Sequence, residues 1–145
     1  MAGAVTPPSP PPTGARIVAV EDDVDIQELL DAVLTAEGYS VQHWAQGAGA
    51  YEFIRAVQPD VVILDLWLEH AQAGSMVLGL LMVDPATQQL PIIICSAYRE
   101  LLGDQEAHLR ARGYVILDKP YSVITLLTHV RALLGGPQAR AVGEA

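Results

Sequence analysis

Val61-Val62-Ile63-Leu64-Asp65-Leu66 is the stretch on which the fold turns. A strand with one wet face would alternate apolar and polar residues; this one is continuously apolar apart from a single carboxylate, as expected of a strand covered on both faces. Residues 91–96, with Ile92-Ile93-Ile94-Cys95 at their centre, read the same way. Strands buried on both faces belong to parallel sheets whose crossovers are helices.

Outward from this pair the pattern repeats. Residues 17–20, 41–44 and 115–117 are further short runs rich in Val and Ile, and helical stretches are predicted over 26–37, 48–57, 75–83, 101–112 and 122–134. In the first helix Ile26, Leu29, Leu30, Val33 and Leu34 recur at steps of three and four, and Gly38 follows as a stop. Five βα units predict an α/β doubly wound sandwich. Right-handed crossovers make the flavodoxin-like (βα)5 topology the leading one, a five-stranded parallel sheet of order 2-1-3-4-5 with function at the carboxyl ends of strands 1, 3 and 4.

Composition sets the bounds. The 145 residues suit one domain, and 51% hydrophobic with 17% charged residues is enough apolar material for a core. A net charge of -9 repels phosphate backbones and anionic lipid, which argues against direct nucleic-acid binding. The single cysteine, Cys95, excludes an intramolecular disulfide and a Cys-based zinc site, and fits a reducing compartment. The longest uncharged apolar run, 76–83, is far below a membrane span, so no membrane insertion is expected and the location read is cytoplasmic. Residues 1–14 are proline-rich and uncharged and read as a disordered lead, 15–135 as the domain, and 136–145 as a short flexible tail.

The topology gathers Glu21, Asp22 and Asp23 after strand 1, Asp65 at strand 3, Ser96 after strand 4 and Lys119-Pro120 after strand 5. Singly, each has an ordinary reading: the acidic triplet as a helix cap, Ser96 as a strand-end hydroxyl, Lys119 as a loop lysine. Asp65 is harder to set aside, since a carboxylate among buried β-branched residues must be paired, hydrogen-bonded or metal-bound. Three carboxylates at one sheet edge either raise a pKa or hold a hard divalent cation, and Mg²⁺ fits best because it accepts carboxylates together with phosphate oxygens. Asp65 would then be a nucleophile forming an aspartyl phosphate. The four histidines show no ligand spacing, though His70 lies on the loop after Asp65, and Cys95 reads as a packing residue.

Val20-Glu21-Asp22-Asp23, Leu64-Asp65-Leu66, Ser96-Ala97 and Lys119-Pro120-Tyr121 together resemble the receiver domain of two-component response regulators, in order and spacing over roughly 16–134. The resemblance implies that Asp65 accepts phosphate from a histidine kinase or phosphotransfer protein. Glu21, Asp22, Asp65 and the backbone carbonyl of Trp67 would hold Mg²⁺, and Ser96 and Lys119 would bind the phosphoryl oxygens. A cis peptide would precede Pro120. It further implies a signalling protein rather than an enzyme: a stand-alone receiver, the tail being too short for an output domain, that acts on an unknown target protein by contact. The face made by helix 4, strand 5 and helix 5 would serve for this contact and for a homodimer.

Departures from the family pattern fall at the output machinery. Glu69 stands where a proline is usual, the loop from Trp67 to Gly74 is one residue longer than the common form, and Ile116 replaces the aromatic residue three positions before the lysine. These changes motivate a rival reading, a degenerate receiver acting as a phosphate-independent docking module. A phosphohydrolase would want a second acid where Trp67 stands, and a flavin or nucleotide binder would want a Gly-rich or Ser/Thr-rich loop that is absent here.

Overall fold

The computed structural model describes residues 14–68 and 73–134, so the expectations for the lead up to residue 13, for Glu69 and His70, and for the tail from residue 135 lie outside the described residues. The chain runs β1 (Arg16–Val20), α1 (Val24–Ala36), β2 (Ser40–Trp44), α2 (Ala50–Val57), β3 (Val61–Asp65) and α3 (Ala73–Val83). It continues through β4 (Ile92–Ser96), a 3-10 turn (Arg99–Leu102), α4 (Gln105–Ala111), β5 (Val115–Asp118) and α5 (Val123–Leu133). All strand pairs are parallel and the order is β2-β1-β3-β4-β5, as expected.

Alternate residues of each strand point to opposite faces, and both faces are covered. Ile17 and Ala19 of β1, Val61 and Ile63 of β3 and Ile93 and Cys95 of β4 pack with α1 and α5 through Leu30, Leu34, Leu126 and Val130. Their neighbours Val18, Val20, Val62, Leu64, Ile92 and Ile94 pack on the other side with α2, α3 and α4. Each fully buried branched side chain contributes about 1.5–3 kcal/mol, and this two-sided burial explains why β3 and β4 do not alternate.

Helix 4 differs from the expectation of one helix over 101–112. The segment breaks at Gly103, whose φ of +53° places the backbone in the left-handed region, and α4 proper is only Gln105–Ala111. Arg99 holds the folded-back turn. Its guanidinium is hydrogen-bonded to Glu106 of α4, and its Nη1 donates to Asp118 at the end of β5 at 3.1 Å. The guanidinium hydrogen bonds hold the Glu106 carboxyl down at about 2. At α1 the helix begins earlier than expected because Asp23 caps it, its Oδ1 accepting from the amides of Asp25 at 2.8 Å and Ile26 at 3.3 Å.

The start of α3 is pressed onto the end of β3. A Cβ on Gly74 would lie 2.4 Å from the carbonyl oxygen of Asp65 and 2.4 Å from Cα of Leu66, and the Gly74 amide donates to the Leu66 carbonyl at 3.2 Å. Only glycine permits this approach. Gly→Ala inside a helix ordinarily stabilises by about 1 kcal/mol, whereas Gly74→Ala is expected to destabilise by roughly 3 kcal/mol or more through backbone displacement. Gly79→Ala in the same helix, where a Cβ meets nothing within 4 Å, should instead be neutral or stabilising. Urea unfolding of both variants at low protein concentration checks the contrast.

Candidate functional site

Strand register assembles the site. Val20 pairs with Leu64, so Glu21 emerges beside Asp65; Asp65 pairs with Cys95, so Ser96 follows on the other side. Ser96 pairs with Asp118, which places Lys119 just beyond, and the Lys119 amide donates to the Ser96 carbonyl at 2.9 Å. The Lys119–Pro120 peptide is cis, in keeping with the expectation.

Asp65 is 2% exposed and Glu21 3%, and both carboxylates meet one ammonium: Lys119 Nζ donates to Asp65 Oδ2 at 3.0 Å and to Glu21 Oε1 at 3.1 Å. The remaining oxygens are not idle. Asp65 Oδ1 accepts from the Trp67 amide at 3.0 Å, and Glu21 Oε2 from the Asp23 amide at 3.1 Å. Asp22 is exposed, yet one carboxylate oxygen each from Glu21, Asp22 and Asp65 lie within 4.8 Å of one another. A hard, all-oxygen donor set of this size, open to water on the Asp22 side, matches what a small divalent cation takes. Asp23, which caps α1, does not belong to the cluster.

Burial, followed by the nearby charge of Asp65, pushes the Glu21 carboxyl up to about 7, against the opposing pull of the Asp23 amide and Lys119. Burial pulls the Lys119 ammonium down, but its hydrogen bonds and charge attraction to Asp65 and Glu21 prevail and leave it above its ordinary value. Burial likewise raises the thiol of Cys95 and the phenol of Tyr121. Cys95 is 1% exposed, the packing residue expected.

Ser96 is 4% exposed, and its Oγ accepts from the Tyr98 amide at 3.0 Å, so the residue that follows the strand is folded back over it. Tyr98 and Trp67 then meet ring to ring, with centroids 4.6 Å apart and planes inclined at 47°. A cavity of about 200 Å³ lies beneath them, lined by Leu66, Ser75, Ser96, Leu102 and Gln105 together with the two rings. Ile116 is buried in the core on the α4 side.

Sequence reasoning missed Gly74 and Arg99. A glycine in the first turn of an otherwise apolar helix was a signal of close backbone approach. For Arg99 no local signal existed, since its partners Glu106 and Asp118 are brought to it only by the fold.

A folded-state value of about 7 for Glu21, against 4.5 ordinarily, means that the folded protein binds this proton more tightly than the unfolded chain. Stability from this source is therefore present below pH 4.5 and lost as pH rises through about 7. In chelator, the urea midpoint is expected to fall between about pH 5.5 and about pH 8, and Glu21→Gln should remove most of that fall. An equal fall in the variant would locate the titration elsewhere.

Comparison with known proteins agrees with this geometry. The family pattern of the response regulator receiver domain matches residues 17–131. Response regulator MprA of Mycobacterium leprae (strain TN) is 32% identical over 119 residues, covering 82% of this chain and 50% of its own length. The chain thus spans about half the length of the curated relatives it matches. A putative response regulator from Chloroflexus aurantiacus J-10-fl is 28% identical with a TM-score of 0.69, covering 84% of this chain and 98% of its own. The receiver domain of a sensor histidine kinase from Pseudomonas aeruginosa PAO1, whose structure has a magnesium ion coordinated in the active site cleft, is 27% identical with a TM-score of 0.70 over 85% of this chain and 99% of its own. Among the described residues no helix is long and apolar enough to cross a membrane. With the motif residues, the strand order and these likenesses in agreement, the chain belongs to the response regulator receiver domain family of two-component signal transduction.

Proposed function

We propose that this receiver takes up a phosphoryl group on Asp65 from the phosphohistidine of a histidine kinase or phosphotransfer protein, with Mg²⁺ bound by Glu21, Asp22, Asp65 and the backbone carbonyl of Trp67. The observation that carries this reading is the meeting of three carboxylates within 4.8 Å beside a lysine ammonium that already touches the nucleophile. A carboxylate oxygen of Asp65 attacks phosphorus, the N–P bond of the donor breaks, and the imidazole leaves with a proton from solvent. Mg²⁺ supplies charge neutralisation for the phosphoryl oxygens. Lys119 moves its hydrogen bond from the carboxylate to a phosphoryl oxygen, and the Ser96 hydroxyl, whose lone pair is held by the Tyr98 amide, donates to another.

The loaded domain signals by protein contact from a cytoplasmic location, with the face of α4, β5 and α5 turned to its target. Ile116 offers no ring to rotate between buried and exposed positions, so the change at the site passes through Ser96 and the turn that follows it. That turn is tied by Arg99 to both α4 and the end of β5.

Incubation with a small phosphoramidate and Mg²⁺ should add one phosphoryl group by mass spectrometry, and Asp65→Asn should abolish it. Equal labelling of the variant refutes the assignment, and no labelling of the parent favours the phosphate-independent docking module.

The acyl phosphate should also be long-lived. Hydrolysis needs a water in line with the P–O bond, and Trp67 and Tyr98 place two touching rings beside Ser96 where small polar groups could orient that water. If poor placement of water raises the barrier by about 1 to 3 kcal/mol, Trp67→Asn and Tyr98→Glu, alone and together, should speed dephosphorylation roughly tenfold to a hundredfold. The decay of labelled protein in Mg²⁺ buffer measures this. Unchanged half-lives would show that the ring pair does not set the lifetime.

A further inference from the structure

β1 ends at Val20, and the residues that follow it, Glu21 and Asp22, bring two of the carboxylates that meet Asp65. The two are held very differently. Glu21 is buried, and its carboxylate oxygens accept from Lys119 Nζ and from the Asp23 amide. Asp22 is exposed, and among the described residues its side chain has neither a hydrogen bond nor an ion pair. The direction in which the Asp22 carboxylate leaves the chain is therefore set by the two peptide units that flank it.

Both of those units are tethered. On the far side, the Asp23 amide donates to Glu21 Oε2 at 3.1 Å. On the near side, the Glu21 amide still continues the pairing with β2, donating to the Trp44 carbonyl at 3.0 Å, but the Glu21 carbonyl accepts from a helix side chain: Gln27 Nε2 donates to it at 2.6 Å. Gln27 is half-buried in the first turns of α1, where its own amide donates to the Asp23 carbonyl at 2.9 Å. It thus grips the acidic segment at both ends, by backbone at Asp23 and by side chain at Glu21. The two tethers of Asp22 are not equivalent. The Asp23 amide uses an oxygen of a carboxylate that a cation would engage, whereas the Gln27 bond uses no ligand oxygen, so a cation does not compete with it.

We propose that Gln27 is a positioning residue for the cation: by holding the Glu21 carbonyl it fixes the plane of the Glu21–Asp22 peptide, and with it the approach of the Asp22 carboxylate to those of Glu21 and Asp65. A peptide unit is rigid, so an anchor on its oxygen also fixes the nitrogen and Cα of the next residue. The role rests on the Mg²⁺ site proposed above. Hydrogen bonds that orient a ligand without touching the metal commonly change affinity by about tenfold to a hundredfold.

Mn²⁺, which takes the same oxygen ligands as Mg²⁺, is the probe; the electron paramagnetic resonance signal of the free ion gives the bound fraction on the full chain, with Mg²⁺ as competitor. The parent is expected to bind one Mn²⁺ that Mg²⁺ displaces, and Asp22→Ala to bind it more weakly. Gln27→Met keeps the length of the side chain and removes the donor; it should raise the dissociation constant roughly tenfold, with the stoichiometry at saturation unchanged. Gln27→Glu separates position from charge. Its added negative charge alone would tighten the binding of a cation, but an ionised carboxylate cannot donate and sets an oxygen against the Glu21 carbonyl, so weaker binding is expected. Parent affinity in Gln27→Met, or tighter binding in Gln27→Glu, overturns the positioning role and leaves the cation site standing. A parent that binds no Mn²⁺ overturns the site itself, and this role with it.

Discussion

Two buried carboxylates share one ammonium, and the architecture at the carboxyl edge of the sheet depends on that arrangement. Asp65 and Glu21 are almost wholly removed from water, and removing the Lys119 ammonium between them would leave two like charges uncompensated in the interior. Coulomb attraction alone does not satisfy the four oxygens; the amides of Trp67 and Asp23 take the other two. The arrangement therefore fixes the backbone just after Asp65 and just after Glu21. It also ties β1, β3 and the end of β5 together. The central placing of β1 beside β3 sets Glu21 next to Asp65, and the long lysine stem reaches both across β4. A cation entering among the carboxylates would meet a site already held in shape by this ion triplet.

The turn after Ser96 is fixed on one side by Tyr98 against Trp67 and on the other by Arg99 against Glu106 and Asp118. α4 is shortened by Gly103 to about two turns. The segment between the site and α4 is thus held by a ring contact and ion pairs rather than by continuous helix. Ile116, by contrast, is buried as part of the core.

α3 shows how one element can serve two surfaces. Its inner face needs Gly74 to let the helix settle on Asp65 and Leu66, and its outer face exposes Met76, Leu80 and Val83 beside Ser75 and Gly79.

Much of this was legible in the chain itself. Val61-Val62-Ile63-Leu64 and Ile92-Ile93-Ile94 lack alternation because each strand is buried twice, and that property alone specified a parallel sheet with helices on both faces. Glu21, Asp22, Asp65, Ser96 and Lys119 could be placed at one edge because side chains at parallel strand ends must converge once the strand order is given. What no local pattern contained is which atoms meet. That Lys119 divides itself between Asp65 and Glu21, that Trp67 rests on Tyr98, that Arg99 closes on Glu106 and Asp118, and that α4 breaks at Gly103 all depend on contacts between segments distant in sequence. Periodicity reports the burial of a residue and the face it occupies; the partner it finds there is decided by register and packing, which exist only in the folded chain.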